Sequence, residues 1–112
     1  MVFKITPAHD PSVYLDFEIP GKGTAKPFTF KLPKLQYMTP EAHEEYRTWL
    51  KAQEDNKYLS TQEINLKLLT CAAPKHAAQF EKLTRGEVEE IQRVWSEQSK
   101  VTPGESKASD AS

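Results

Sequence analysis

The sequence predicts an α+β fold: an N-terminal β-hairpin, a bundle of about four short helices and a disordered C-terminal tail. Three observations predict it. Apolar residues alternate strictly over 13–19 and again over 28–32, with a stretch rich in turn residues between them. From residue 39 onward the apolar period becomes that of helices, and three segments open with well-formed helix-start signals. Beyond residue 101 no large apolar residue remains.

In residues 13–19, Val13, Leu15, Phe17 and Ile19 fall on one face and Tyr14, Asp16 and Glu18 on the other, the pattern of a half-buried strand. A second alternation runs through Phe28, Thr29, Phe30, Lys31 and Leu32. Pro20, Gly21, Gly23 and Pro27 lie between the two, so residues 13–32 read as a hairpin with a long loop. An isolated hairpin is marginal in water, and its apolar face needs a helix or a partner chain to cover it.

Thr39-Pro40 supplies an N-cap hydroxyl followed by proline at the first helical position, which starts a helix over about 40–53. Tyr46, Trp49 and Leu50 share one of its faces. Ser60-Thr61-Gln62-Glu63 is a capping box, with Leu59 and Ile64 as its hydrophobic staple, and starts a second helix over about 60–73. Its stripe is Ile64, Leu68, Leu69, Cys71 and Ala72, and Pro74 ends it. A third helix over about 74–82 carries Ala77, Phe80 and Leu83 inward. Thr84-Arg85-Gly86-Glu87 repeats the capping box and starts a fourth helix over about 85–99, with Val88, Ile91, Val94 and Trp95 as its inner stripe. Residues 101–112 cannot bury enough surface to offset the entropy of ordering themselves, so a disordered tail is expected there.

At 112 residues the chain supports one domain, expected over 1–100. Its mean hydropathy of -0.68 leaves apolar material for a single modest core and none for a large cofactor cavity. Fifteen Lys and Arg against sixteen Asp and Glu leave no overall field for a polyanion, so no nucleic acid is expected as a partner. No apolar run approaches the roughly 18 residues of a membrane span. The opening residues do not read as a secretion signal, and the single cysteine suits a reducing cytoplasm, where the protein is expected to remain.

Chemistry-bearing constellations are sparse. His9, His43 and His76 have no second histidine or cysteine at ligand spacing nearby, so no metal or other cofactor is expected. His9-Asp10 sits in a proline-flanked loop and reads as a surface pair, and Cys71 reads as a small core hydrophobe. Glu44 with Glu45, and Glu89 with Glu90, are sequence neighbours that point in different directions on a helix. No phosphate loop or nucleophile elbow is present, and the chain is expected not to be an enzyme. The last three helices also fit a helix-turn-helix regulator with residues 85–100 as recognition helix. That helix would bring Glu87, Glu89, Glu90 and Glu97 to phosphate.

What remains is a module that meets other proteins, with Tyr46, Trp49, Leu50, Phe80, Ile91 and Trp95 as candidate protein-binding residues. The hairpin leads through Phe30-Lys31-Leu32-Pro33-Lys34-Leu35 into four short helices. Leu83-Thr84-Arg85-Gly86-Glu87-Val88 runs on to Trp95, and the tail reads Pro103-Gly104-Glu105-Ser106-Lys107-Ala108-Ser109. This order resembles tail assembly chaperones of siphophages that infect actinobacteria and related hosts, over nearly the whole chain. The resemblance implies binding to the long, helical, aggregation-prone tape measure protein, which such chaperones keep soluble while tail tube subunits polymerise around it. It further implies action in the host cytoplasm, absence from the mature virion, and contact with tail tube protein through a longer, frameshifted form. Nothing like the extra domain of that form is present, so the chain matches the short form. Self-association through the edge of the hairpin is expected as well. The rival reading is another small phage morphogenesis protein, a head-tail connector or completion factor.

Overall fold

The computed structural model describes residues 1–100, and the tail expected over 101–112 lies outside the described residues. The architecture is α+β, with one antiparallel hairpin and four α-helices among the described residues. Strand β1 (Tyr14–Ile19) pairs with β2 (Phe28–Pro33) in a register that sets Leu15 opposite Leu32 and Phe17 opposite Phe30. Helices α1 (Pro40–Ala52), α2 (Thr61–Ala72), α3 (Ala77–Phe80) and α4 (Arg85–Lys100) follow.

Alternation decides which face of the hairpin is covered. Leu15, Phe17 and Ile19 are half-buried while Tyr14, Asp16 and Glu18 are exposed, and on β2 Phe30 and Leu32 are buried while Thr29 and Lys31 face out. Val13 is inward, as its place in the pattern predicts, but it stands in a 3-10 turn (Pro11–Val13) ahead of the strand. Asp10 causes this: its carboxylate accepts the Ser12 amide at 2.9 Å, and Pro11 presets the first residue of the turn. In the loop between the strands, a Cβ at Gly21 would run into the carbonyl oxygen of Ala25, and Gly23 has a φ of 62°. Both positions favour glycine.

All three helix-start signals supply a side-chain cap, although the box expected at Ser60 forms only its Ser60 half. The Thr39 hydroxyl accepts the Ala42 amide at 3.2 Å and the Ser60 hydroxyl accepts the Glu63 amide at 3.1 Å. At Thr84 the exchange is reciprocal: the Thr84 hydroxyl accepts the Glu87 amide at 3.2 Å, and the Glu87 carboxylate accepts the Thr84 amide at 2.8 Å. The third helix is shorter than the expected 74–82. A 3-10 turn (Pro74–His76) precedes α3, which ends at Phe80 because the Lys82 and Leu83 amides turn to carbonyls three residues back.

The core joins the two halves. Phe30 and Leu32 of the hairpin meet Leu69 and Ala73 at the α2 side, Phe80 of α3, and Val88, Ile91 and Trp95 of α4. Phe30 stacks on its cross-strand partner Phe17 with centroids 5.2 Å apart, and meets Phe80 edge-on at 5.2 Å. Helix α2 contributes Leu66 as well as Leu68 and Ala72 to the margin of this cluster. Helix α1 has no buried residue and packs on α2, where Glu45 lies 3.8 Å from Lys67, and its Tyr46 and Trp49 are half-buried.

Candidate functional site

The six candidate binding residues divide into two groups. Phe80 and Trp95 are 0% exposed, so these two hold the domain together and present no surface to a partner, while Ile91 is 6% exposed in the same core and reaches the surface only at the groove between β1 and α4. The correction has a physical reason. A chain this small spends its largest apolar side chains on its only core, and periodicity cannot separate a core stripe from a docking stripe on the same helix face. Tyr46, Trp49 and Leu50 stay near the surface of α1, with Leu50 37% exposed. A shallow depression beside Leu50 is bounded by Glu44, Arg47, Lys51 and Glu54, the first two joined in an ion pair of 2.7 Å.

A larger concavity draws in residues that the periodicity assigns to solvent. Tyr14, Asp16 and Lys31 of the hairpin's outward face join Phe17 and Phe30 of its covered face and the 72–76 link between α2 and α3 around a groove of about 740 Å³. Tyr14, Phe17, Ala72, Ala73 and Pro74 supply its apolar surface, and Asp16, Glu18, Lys31 and Lys75 supply charge. A second groove of about 360 Å³ shares Tyr14, Pro33, Ala72 and Pro74 with the first and continues to the start of α1, past Tyr37, Met38, Ala42 and Cys71. The two grooves adjoin at the four shared residues, as a trough in two parts between the hairpin and the start of α1. Tyr14 stands at the junction and is 38% exposed.

Local chemistry explains the form of the trough. Pro74 stops α2 and forces the link outward, because its ring clashes with a continuing helix. The Lys31 ammonium lies 2.8 Å from the Asp16 carboxylate, directly across the strands, and holds a polar rim in place. His76 lies against Phe28 and Phe80, with ring centroids 5.5 and 6.0 Å away, and anchors the link to the aromatic core. At the far end, burial pushes the Cys71 thiol above its ordinary value of 9.0 and the Glu45 carboxylate pushes the same way. The thiol stays protonated near neutrality and serves as an apolar part of the floor. Burial likewise raises the Tyr46 hydroxyl, with a smaller push from Cys71.

The sequence reading missed this trough because it needs both strands and a distant link in one place. One signal was available. Tyr14 is a large aromatic residue on the otherwise charged face of β1, where solvent alone asks for none. Tyr58, between α1 and α2, is a second overlooked aromatic and is 91% exposed.

Among the described residues, no group of three or more His, Cys, Asp and Glu is placed to hold a metal ion. No helix of the described residues is long and apolar enough to cross a membrane. Compared with family models, curated proteins and solved structures, the chain matches none of them.

Proposed function

We propose that this chain is a tail assembly chaperone of a long-tailed bacteriophage, which binds the tape measure protein and keeps it soluble during assembly of the tail tube. The observation that carries the reading is the trough: an apolar floor at Tyr14, Phe17, Ala72 and Pro74 within a rim of both charge signs. An amphipathic helix binds by laying its apolar stripe into such a groove, with flanking charges meeting the rim. A helix with its side chains is about 10 Å across, and an open trough lined from the hairpin to the start of α1 suits a stretch of helix better than a compact small molecule. The order of hairpin, capped helices and Gly104-Glu105-Ser106 tail, which resembles the chaperone family, supplies the identity of the client.

Many copies bind one client, because a tape measure protein is several times longer than this domain and exposes many equivalent stripes. Tail tube protein is the second partner, met through a longer form of the chain. The work is done in the host cytoplasm, and the finished virion lacks the protein. Charge on α4 speaks against the DNA-binding alternative. Arg85 pairs with Glu89 at 3.1 Å and Arg93 with Glu97 at 3.5 Å, which leaves the helix little free positive charge for phosphate.

Co-expression with a tape measure fragment tests the proposal. Soluble yield of the fragment should rise, with more than one copy bound per client. A strictly one-to-one complex, or no effect on solubility, overturns the proposal, and recovery of the chain from purified virions returns it to the connector class.

A further inference from the structure

We propose that residues 1–6 form an arm that docks along the β1 edge of a second copy of this chain. Met1, Val2, Phe3 and Ile5 are 81% to 107% exposed, so four large apolar side chains within five residues of one another stand in water. Apolar exposure gathered in one segment marks a contact site, whereas single exposed apolar residues do not.

The receiving surface is a groove of about 380 Å³ between β1 and α4. Consecutive residues of β1 line it, from both faces of the strand, and no residue of β2 does. The groove therefore follows the second half of the free edge of β1, where the two-stranded sheet leaves backbone donors and acceptors unpaired. Its floor is Phe17, Ile19, Ile91 and Val94, and Glu18 and Glu90 stand at its rim. Neither glutamate is in an ion pair with a described residue.

The arm suits this groove in pattern and charge. Four extended residues are enough to run along residues 17–20, which line the groove. Phe3 and Ile5 share one side of an extended chain and meet the floor. Lys4 lies on the other side and meets the acidic rim. The arm does not reach its own groove, because the residues between it and β1 are already committed. The Asp10 amide bonds the Pro7 carbonyl at 3.1 Å, the Val13 amide bonds the Asp10 carbonyl at 3.1 Å, and the 3-10 turn fixes the entry to the strand. The occupant is accordingly the arm of another copy, which supplies the strand that the hairpin lacks. None of this depends on which client the chain serves.

Sedimentation equilibrium of the whole chain, from micromolar to millimolar concentration, is the first test. Association above the monomer is expected, weakened about a hundredfold by Phe3→Asp combined with Ile5→Asp. Glu90→Lys should weaken it about fivefold, and Lys4→Glu in the same chain should restore it. These positions are exposed, so the variants keep their fold. In a Cys71→Ala background, mixing an Ile5→Cys chain with a Val94→Cys chain should give a disulfide-linked pair of the two different chains. A monomer at every concentration overturns the inference, and so does a disulfide that forms only within single chains of an Ile5→Cys, Val94→Cys double variant.

Discussion

Trp95 donates its indole N–H to the carbonyl oxygen of Pro33, 62 residues earlier, at 2.7 Å and out of contact with water. Pro33 ends β2, so this bond clamps α4 onto the end of the hairpin. One turn further along α4, the Ser99 hydroxyl accepts the Leu35 amide at 2.9 Å, and the Gln36 side-chain amide donates to the Ser99 carbonyl at 2.9 Å. Residues four apart on a helix share a face, so Trp95 and Ser99 together grip the segment that leaves β2.

Trp95→Phe keeps an aromatic ring in the core and strands the buried Pro33 carbonyl without its donor. Leaving such a group unsatisfied costs about 1–3 kcal/mol, in addition to the lost ring volume. Urea denaturation should show that loss, and Ser99→Ala should show a smaller one of about 1 kcal/mol. A Trp95→Phe chain as stable as the parent would show that the indole bond contributes nothing.

Helix capping gives a second comparison. Ser60→Ala removes one bond to the Glu63 amide and should cost about 1 kcal/mol. Thr84→Ala should cost more, because the Thr84 hydroxyl also donates to the Glu87 carboxylate at 2.9 Å and so helps to hold the reciprocal box together. The ranking, read from chemical denaturation midpoints, is the check. Equal losses would mean that the exchange at Thr84 is no stronger than a single cap.

Acid should loosen α4 at its start. The backbone amide and hydroxyl of Thr84 hold the Glu87 carboxyl below its ordinary value of 4.5. The folded chain therefore takes up this proton less readily than the unfolded chain, so the stability from Glu87 is complete above pH 4.5 and is lost as pH falls through the lower, folded value. Glu87→Gln should be the less stable chain near neutrality, with a smaller further loss in acid. Denaturation midpoints of the two chains, compared at neutral pH and below pH 4.5, read the difference. Parallel pH profiles would exclude the linkage.

Tyr14→Asp separates client binding from folding. Tyr14 faces outward at the junction of the two grooves, and an exposed substitution of this kind changes stability by about 0.5 kcal/mol or less. The variant should melt with the parent and yet lose most of its ability to keep a tape measure fragment soluble. Phe80→Ala, by contrast, should cost about 3–5 kcal/mol and unfold the chain before any binding can be read. Full client rescue by the Tyr14 variant would place the binding surface elsewhere, with Trp49 and Leu50 of α1 the next surface to test.

Local rules determined most of the secondary structure from the sequence alone. The alternation over 13–19 and 28–32 selected the buried face of the hairpin, and the Thr39, Ser60 and Thr84 signals each started a helix, because strand period and capping depend on residues within one turn or one pleat. Short-range competition explains the departures. Asp10 and Pro11 drew Val13 into a 3-10 turn, and Pro74 left α3 only four residues long. Only the tertiary structure decided which aromatic side chains are core and which are surface. Trp49 and Trp95 carry the same local signature on their helices, yet Trp49 stays half-buried on α1 while Trp95 is sealed beneath the hairpin and bonded to Pro33. The trough was hidden for the same reason: Tyr14 and Pro74 meet only after the chain has folded, since burial and concavity arise from contacts between distant segments that no window of sequence contains.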